Sequence, residues 1–237
     1  MKKILIIFMF LFLLTGCGKN NNELVMVTEA GFAPYEYYED GKIVGVDIDI
    51  ANEIAKKMGK KLVIKDVAFD SIINEVKSNK SDFGAAGISY SEEREKEVDF
   101  SINYTTSKQV VVIKKDSGIT VDNLDGKKIA VQLGSIGDGY VTSNYKNSEI
   151  VRQKKYLQAI EDLKSDKVDC VVMDELPALE FVKVNDNLMV LDKELTSDSY
   201  GMIVKKGNTE LLNTINEVLK ELKDNGKIDE FIINHTK

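Results

Sequence analysis

Apolar residues recur along this chain in two alternating rhythms, short β-type runs and longer stretches of 3.6-residue periodicity. Leu24 to Thr28 reads as a strand. Asp49 to Met58 follows as a helix, because Ile50, Ile54, Ala55 and Met58 share one face and Gly59 can close it. Leu62 to Val67 is a strand, and Asp70 is placed to cap a helix that runs to Asn79 on Ile72, Ile73 and Val76. Asp82 to Ile88 reads as a strand of small residues, and Ser91 caps a short acidic turn, Glu92-Glu93-Arg94. After a β run at Val110 to Lys114 and the polar Asp116-Ser117-Gly118, the alternation restarts.

In the second half, Lys128 to Val131 is a strand, and Gly134-Ser135-Ile136-Gly137 opens a helix near Gly139. Ile150 to Lys154, Val168 to Met173, Leu188 to Leu191 and Tyr200 to Lys205 are strands. Leu157 to Leu163 is a helix between two of them, and Pro177 suits the first turn of another beginning near Asp174. Leu211, Leu212, Ile215, Val218, Leu219 and Leu222 form a long amphipathic helix ending at Gly226, with a short one over Ile228 to Ile233. Strand–helix alternation predicts an α/β fold with mostly parallel sheets flanked by helices. Two rounds of it, with a break near Thr105 to Val110 and no Gly/Pro-rich linker, predict two lobes joined by strand-like crossovers.

The N-terminus breaks the pattern. Lys2 and Lys3 precede an apolar run from Ile4 to Leu14, too short for a span of about 20 residues and of the length of a signal segment. It ends in Leu14-Thr15-Gly16-Cys17, which resembles the lipobox of bacterial lipoproteins. That resemblance implies cleavage after residue 16, lipid on Cys17, and a tether over residues 17–23.

Composition narrows the chemistry. Net charge is -7, and more negative once Lys2 and Lys3 are removed, so nucleic acid and anionic lipid are not expected partners. Cys170 then stands alone in a strand-like apolar run, so neither a disulfide nor a nucleophile is expected. His235, the only histidine, lies in a predicted frayed tail, so no histidine-based triad or zinc site is expected, nor any metal or cofactor.

Gly45-Val46-Asp47-Ile48-Asp49-Ile50-Ala51-Asn52-Glu53-Ile54-Ala55 resembles the signature of family 3 extracellular solute-binding proteins, the polar amino acid receptors of ABC importers. Val46 departs from the family's larger residue there. Thr28-Glu29-Ala30-Gly31-Phe32-Ala33-Pro34-Tyr35-Glu36 looks like the opening strand and ligand loop of the family. Gly84-Ala85-Ala86-Gly87-Ile88-Ser89-Tyr90-Ser91-Glu92-Glu93-Arg94 looks like its carboxylate-binding turn. Gly126 to Ser135, Val168 to Glu175 and Tyr200 to Lys206 continue the likeness, which covers roughly Leu24 to Phe231. The resemblance implies a periplasmic-binding-protein-like fold with a ligand cleft. Residues 24–108 and 201–237 would form one lobe and 109–200 the other.

What the family does at matching positions gives the expected site. Arg94 would grip a carboxylate with its planar fork, helped by the Ser89 hydroxyl and by backbone N–H groups around Ser135 and Ile136. Asp174 and the Gly87 carbonyl would hold the ammonium, although Asp174 could equally cap the Pro177 helix. Phe32 and Phe69 would sandwich the ligand side chain. Glu29, with Gln132 nearby, would meet its far end. An acid at that end favours arginine, lysine or histidine, with glutamine next. The implied protein is a non-enzymatic, monomeric receptor, extracytoplasmic, held to the membrane by lipid alone and serving an ABC permease and ATPase. An exported dehydratase-like enzyme on the same fold, with Arg94 binding substrate and Asp174 or Glu175 as general acid, is the enzymatic alternative. A sensor module is the third.

Overall fold

A computed structural model describes residues 22–236. The expected signal segment, the lipid-bearing Cys17 and the tether as far as Asn21 lie outside the described residues. In chain order come β1 (Glu23–Thr28), a hairpin of β2 (Tyr37–Glu39) and β3 (Lys42–Val44), α1 (Val46–Lys57), β4 (Lys61–Asp66), α2 (Ile72–Lys77), β5 (Phe83–Gly84), α3 (Glu92–Glu95) and β6 (Val98–Phe100). Then follow β7 (Thr105–Lys114), β8 (Lys128–Gln132), α4 (Ile136–Asn144), β9 (Glu149–Gln153), α5 (Tyr156–Lys164), β10 (Cys170–Asp174) and α6 (Glu175–Lys183). The chain ends with β11 (Leu188–Val190), β12 (Thr196–Tyr200), β13 (Ile203–Lys205), α7 (Thr209–Asp224) and α8 (Lys227–His235).

Two larger sheets result. The first runs β4-β1-β5-β13-β6, and the second β11-β7-β10-β8-β9, with β12 also on β7. Each is parallel over three strands, β4-β1-β5 and β9-β8-β10, where helical crossovers supply the connections. The remaining pairs, β13 with β5 and β6, and β7 with β10, β11 and β12, are antiparallel. Helices cover both faces of each sheet: α1 with α7, and α2 opposite, on the first; α5 with α6, and α4 opposite, on the second.

The run read as one strand, Tyr200 to Lys205, is two. β12 belongs to the second sheet and β13 to the first, and the chain crosses at Gly201-Met202. The other crossing lies between Phe100 and Thr105, so residues 105–108, grouped above with the first lobe, start a strand of the second sheet. Asp70 does not cap α2; it sits inside a 3-10 turn, Phe69–Ser71, that leads into the helix. His235 is no frayed tail. It closes α8 and docks there, its Nδ1 3.1 Å from the Tyr37 hydroxyl and its Nε2 2.9 Å from Asp49 Oδ2.

One apolar core cluster spans both sheets, from Leu24, Ile50 and Ile54 to Val112, Ile160 and Leu163. Its junction is aromatic. Tyr200, fully buried, meets Tyr35 edge-on with centroids 5.1 Å apart and lies 6.2 Å from Tyr104. Gly45 permits this arrangement locally. Its φ of 133° is a left-handed conformation, and a Cβ there would come within 2.1 Å of the Tyr35 carbonyl oxygen. That carbonyl accepts from Asp47 N at 3.0 Å, which ties the 32–36 loop to the start of α1. Gly45→Ala should therefore cost about 2–3 kcal/mol, the scale of a strained backbone position plus a clash, and lower the midpoint of urea unfolding accordingly.

Candidate functional site

Ten residues singled out in the sequence line a single narrow cavity between the sheets: Glu29, Phe32, Phe69, Gly87, Ser89, Arg94, Gln132, Ser135, Ile136 and Asp174. Glu29 and Phe32 follow β1, Gly87 and Ser89 follow β5, and Arg94 is in α3, all on the first-sheet side. Gln132 ends β8, Ser135 and Ile136 open α4, and Asp174 ends β10, all on the second. Strand ends of an open α/β sheet are where such folds place contacts. A wider solvent-open groove shares Phe69, Arg94, Ser135 and Ile136 with the cavity.

The cationic wall is Arg94. The Ser91 hydroxyl accepts from Arg94 N at 3.2 Å, so the predicted cap also positions the side chain. The guanidinium donates to the Ser89 carbonyl at 2.6 Å and, across the cavity, to the Gly134 carbonyl at 2.9 Å. Two bonds leave other N–H groups of its five for an incoming anion. Opposite, Ser135 caps α4 by accepting from Asp138 N at 3.1 Å, so the helix starts at Ile136 rather than near Gly139. First-turn N–H groups of a helix have no intrahelical acceptor, which makes this end favourable for negative charge.

The other polar groups are mainly acids. Asp174 accepts from the Tyr200 hydroxyl at 2.5 Å and from Gln109 Nε2 at 2.8 Å, and it makes no side-chain cap to α6. Asp198, on β12, accepts from the Ser89 hydroxyl at 2.8 Å and shares Gln109 at 3.2 Å. Burial, reinforced by the charge of Asp198, pushes the Asp174 carboxyl up to about 6. Glu36 also lines the cavity, and no donor reaches either of its oxygens. Burial, reinforced by the charge of Asp47, holds its pKa well above the usual carboxylate value, which favours the protonated form. Asp47 in turn accepts from Gly87 N at 3.0 Å and from the Tyr104 hydroxyl at 2.7 Å.

The aromatic arrangement differs from the expected sandwich. Phe69 places its face under Arg94, 5.5 Å from the guanidinium carbon, so its cation is one of the protein's own. Phe32 stacks on Tyr156 of the facing wall at 5.7 Å and 24°. Gly87, with φ 53°, leaves no room for a side chain beside its neighbour on the same wall: a Cβ there would sit 2.6 Å from the Phe32 ring. Ser89 gives its hydroxyl to Asp198 rather than leaving it open. Sequence reasoning missed Glu36, Ala86 and Tyr156 on the lining, and Gln109, Asp198 and Tyr200 behind it. Of these Glu36, Ala86 and Tyr200 stood within segments already quoted, without being singled out. The others arrive through long-range strand pairing that no local pattern encodes. Cys170 is buried in β10 with its thiol pushed up to about 12 by burial, as suits an inert core residue.

The model of the bacterial extracellular solute-binding proteins, family 3, matches residues 24–235. The arginine-binding extracellular protein ArtP of Bacillus subtilis (strain 168) is 34% identical over 231 residues, covering 92% of this chain and 91% of that protein. A solved structure described as an ancestral arginine-binding protein bound to arginine is 40% identical, with a TM-score of 0.85 over 90% of this chain and 98% of that one. Another, described as an ancestral arginine-binding protein bound to glutamine, superposes with a TM-score of 0.84 at 38% identity, over 90% and 97%.

The raised carboxyl of Asp174 carries a stability consequence with a definite sign. Its pKa is about 6 in the folded protein against an ordinary value of 3.8, so the folded state binds the extra proton between those limits. Its contribution to stability is thus full below pH 3.8 and lost as pH rises through 6. Asp174→Asn, which cannot ionise, should raise the melting temperature of the unliganded protein at pH 7.5 by a few °C, about what 1–2 kcal/mol gives a chain of this size. The gain should shrink as pH falls through 6 and vanish only below about pH 3.8, as thermal denaturation at pH 7.5 and pH 3.5 will show.

Proposed function

The chain belongs to family 3 of the bacterial extracellular solute-binding proteins, and from that premise we propose that it binds one free amino acid in the cavity between its sheets and passes it to an ABC importer. The observation that carries this reading is the charge layout of that cavity, the Arg94 guanidinium on one wall and the Asp174 carboxyl on the other, with Glu29 farther along. A free amino acid is a zwitterion and must satisfy both signs as it leaves water. Its carboxylate goes to Arg94, with Ser135, Ile136 and the N-terminus of α4 opposite. Its ammonium goes to Asp174, with the Gly87 carbonyl as a further acceptor, and its side chain extends past Phe32 and Phe69 towards Gln132 and Glu29.

The acids favour a basic side chain. Glu29, Glu36, Asp174 and Asp198 outnumber Arg94 and Lys155 around the cavity, and the ArtP relative is named for arginine binding. The ancestral structure with glutamine makes that amide the next candidate. Because each wall supplies half the contacts, ligand shifts an open–closed equilibrium by its differential affinity for the closed form, which the permease then recognises. Residues 24–100 with 203–236 act as one lobe and residues 105–200 as the other. The mature chain works outside the cytoplasm as a monomeric, non-enzymatic receptor, tethered by lipid on Cys17.

A thermal-shift panel of amino acids should single out one or two that stabilise the protein, as linkage requires. Arg94→Ala and Asp174→Ala should each lose about 2–5 kcal/mol of binding, the cost of stranding one partner of a buried charge pair, while circular dichroism stays unchanged. Normal binding by both variants would refute the assignment. For the anchor, Cys17→Ser should abolish incorporation of radioactive fatty acid and move the protein from the membrane to the soluble fraction. Retained label would rule Cys17 out.

A further inference from the structure

The acid at the far end of the cavity already has a cation. Glu29 is 1% exposed, and both groups that reach it come from the opposite wall. Gln132 donates its amide to Oε2 at 3.0 Å, and the Lys155 ammonium lies 2.9 Å from Oε1. Lys155 sits just ahead of α5, where its side chain makes no helix cap. Its side chain stays 43% exposed, and the same ammonium is 3.7 Å from Asp66 Oδ2. Asp66 is fixed in turn, its other oxygen accepting from Ala30 N at 2.9 Å.

A buried carboxylate needs one positive partner, and this geometry offers it two candidates, the protein's lysine or a ligand's terminal cation. Lysine suits the exchange, being a compact charge on a flexible stem that can swing. We propose that Lys155 is a built-in competitor for Glu29: it neutralises the acid when the ligand side chain is neutral and yields it, moving onto Asp66, when the side chain ends in a cation. Lys155 thereby sets how strongly the site separates cationic from neutral amino acids of the same length. The inference rests on the amino acid receptor reading and adds to it the residue that tunes selectivity.

Arginine and citrulline, alike in shape and different in charge, are the probes. Their affinities for the full chain, Lys155→Ala, Lys155→Gln and Glu29→Gln are measured by calorimetry at low salt. Both Lys155 variants should raise the arginine-to-citrulline affinity ratio roughly fivefold, the upper range for one partly exposed charge pair. Glu29→Gln should lower the ratio below wild type. A ratio unchanged or reduced in both Lys155 variants, with arginine still binding the wild type, overturns this inference alone and leaves Lys155 a structural tie. If neither probe nor any other amino acid binds the wild type, the receptor reading falls and the inference with it.

Discussion

A carboxylate removed from water with too little positive charge beside it is the constraint around which this molecule is arranged. Asp174, Asp198, Glu29 and the Glu36–Asp47 pair converge on a space where Arg94 and Lys155 are the nearby cations. Neutral donors from the hinge strands and the first lobe soften the shortage: Gln109 and Tyr200 for Asp174, Ser89 for Asp198, Tyr104 and Gly87 for Asp47. They hold the oxygens in place without cancelling their charge.

The same donors join the two halves. Tyr200 is the last residue of β12, its ring packs into the shared core against Tyr35 and Tyr104, and its hydroxyl supports Asp174. Phe32 reaches across to Tyr156 at the cavity itself. Hinge, core and charge site therefore meet at one buried aromatic cluster. The packing between the sheets and the electrostatics of the acids therefore share side chains.

Much of this was legible in the residues. Periodicity located most of the helices and the longer strands, because amphipathic faces such as Ile50-Ile54-Ala55 and Leu211-Ile215-Leu219 report burial directly. Motif likeness located ten residues that share one cavity. What escaped depends on tertiary pairing. Tyr200 to Lys205 reads as an unbroken strand, yet its halves pair with β7 and with β5 and β6. Asp198 sits in the polar strand Thr196–Tyr200, whose sequence resembles an exposed edge, and only its register opposite β7 carries it to the cavity. Lys155 carries no local signal that sets it apart from the other lysines. His235 looked like a loose end, and its bonds to Tyr37 and Asp49 join residues nearly the whole chain apart.

The double crossing between sheets has a further consequence for how the chain is made. β13 lies between β5 and β6, so the first sheet keeps a gap at its middle until residues 203–205 have left the ribosome. Residues 105–200 by then contain every strand of the second sheet. The lobe begun first is thus the last that can be finished, and a nascent chain stalled before residue 203 would present two unpaired strand edges where the completed protein has none.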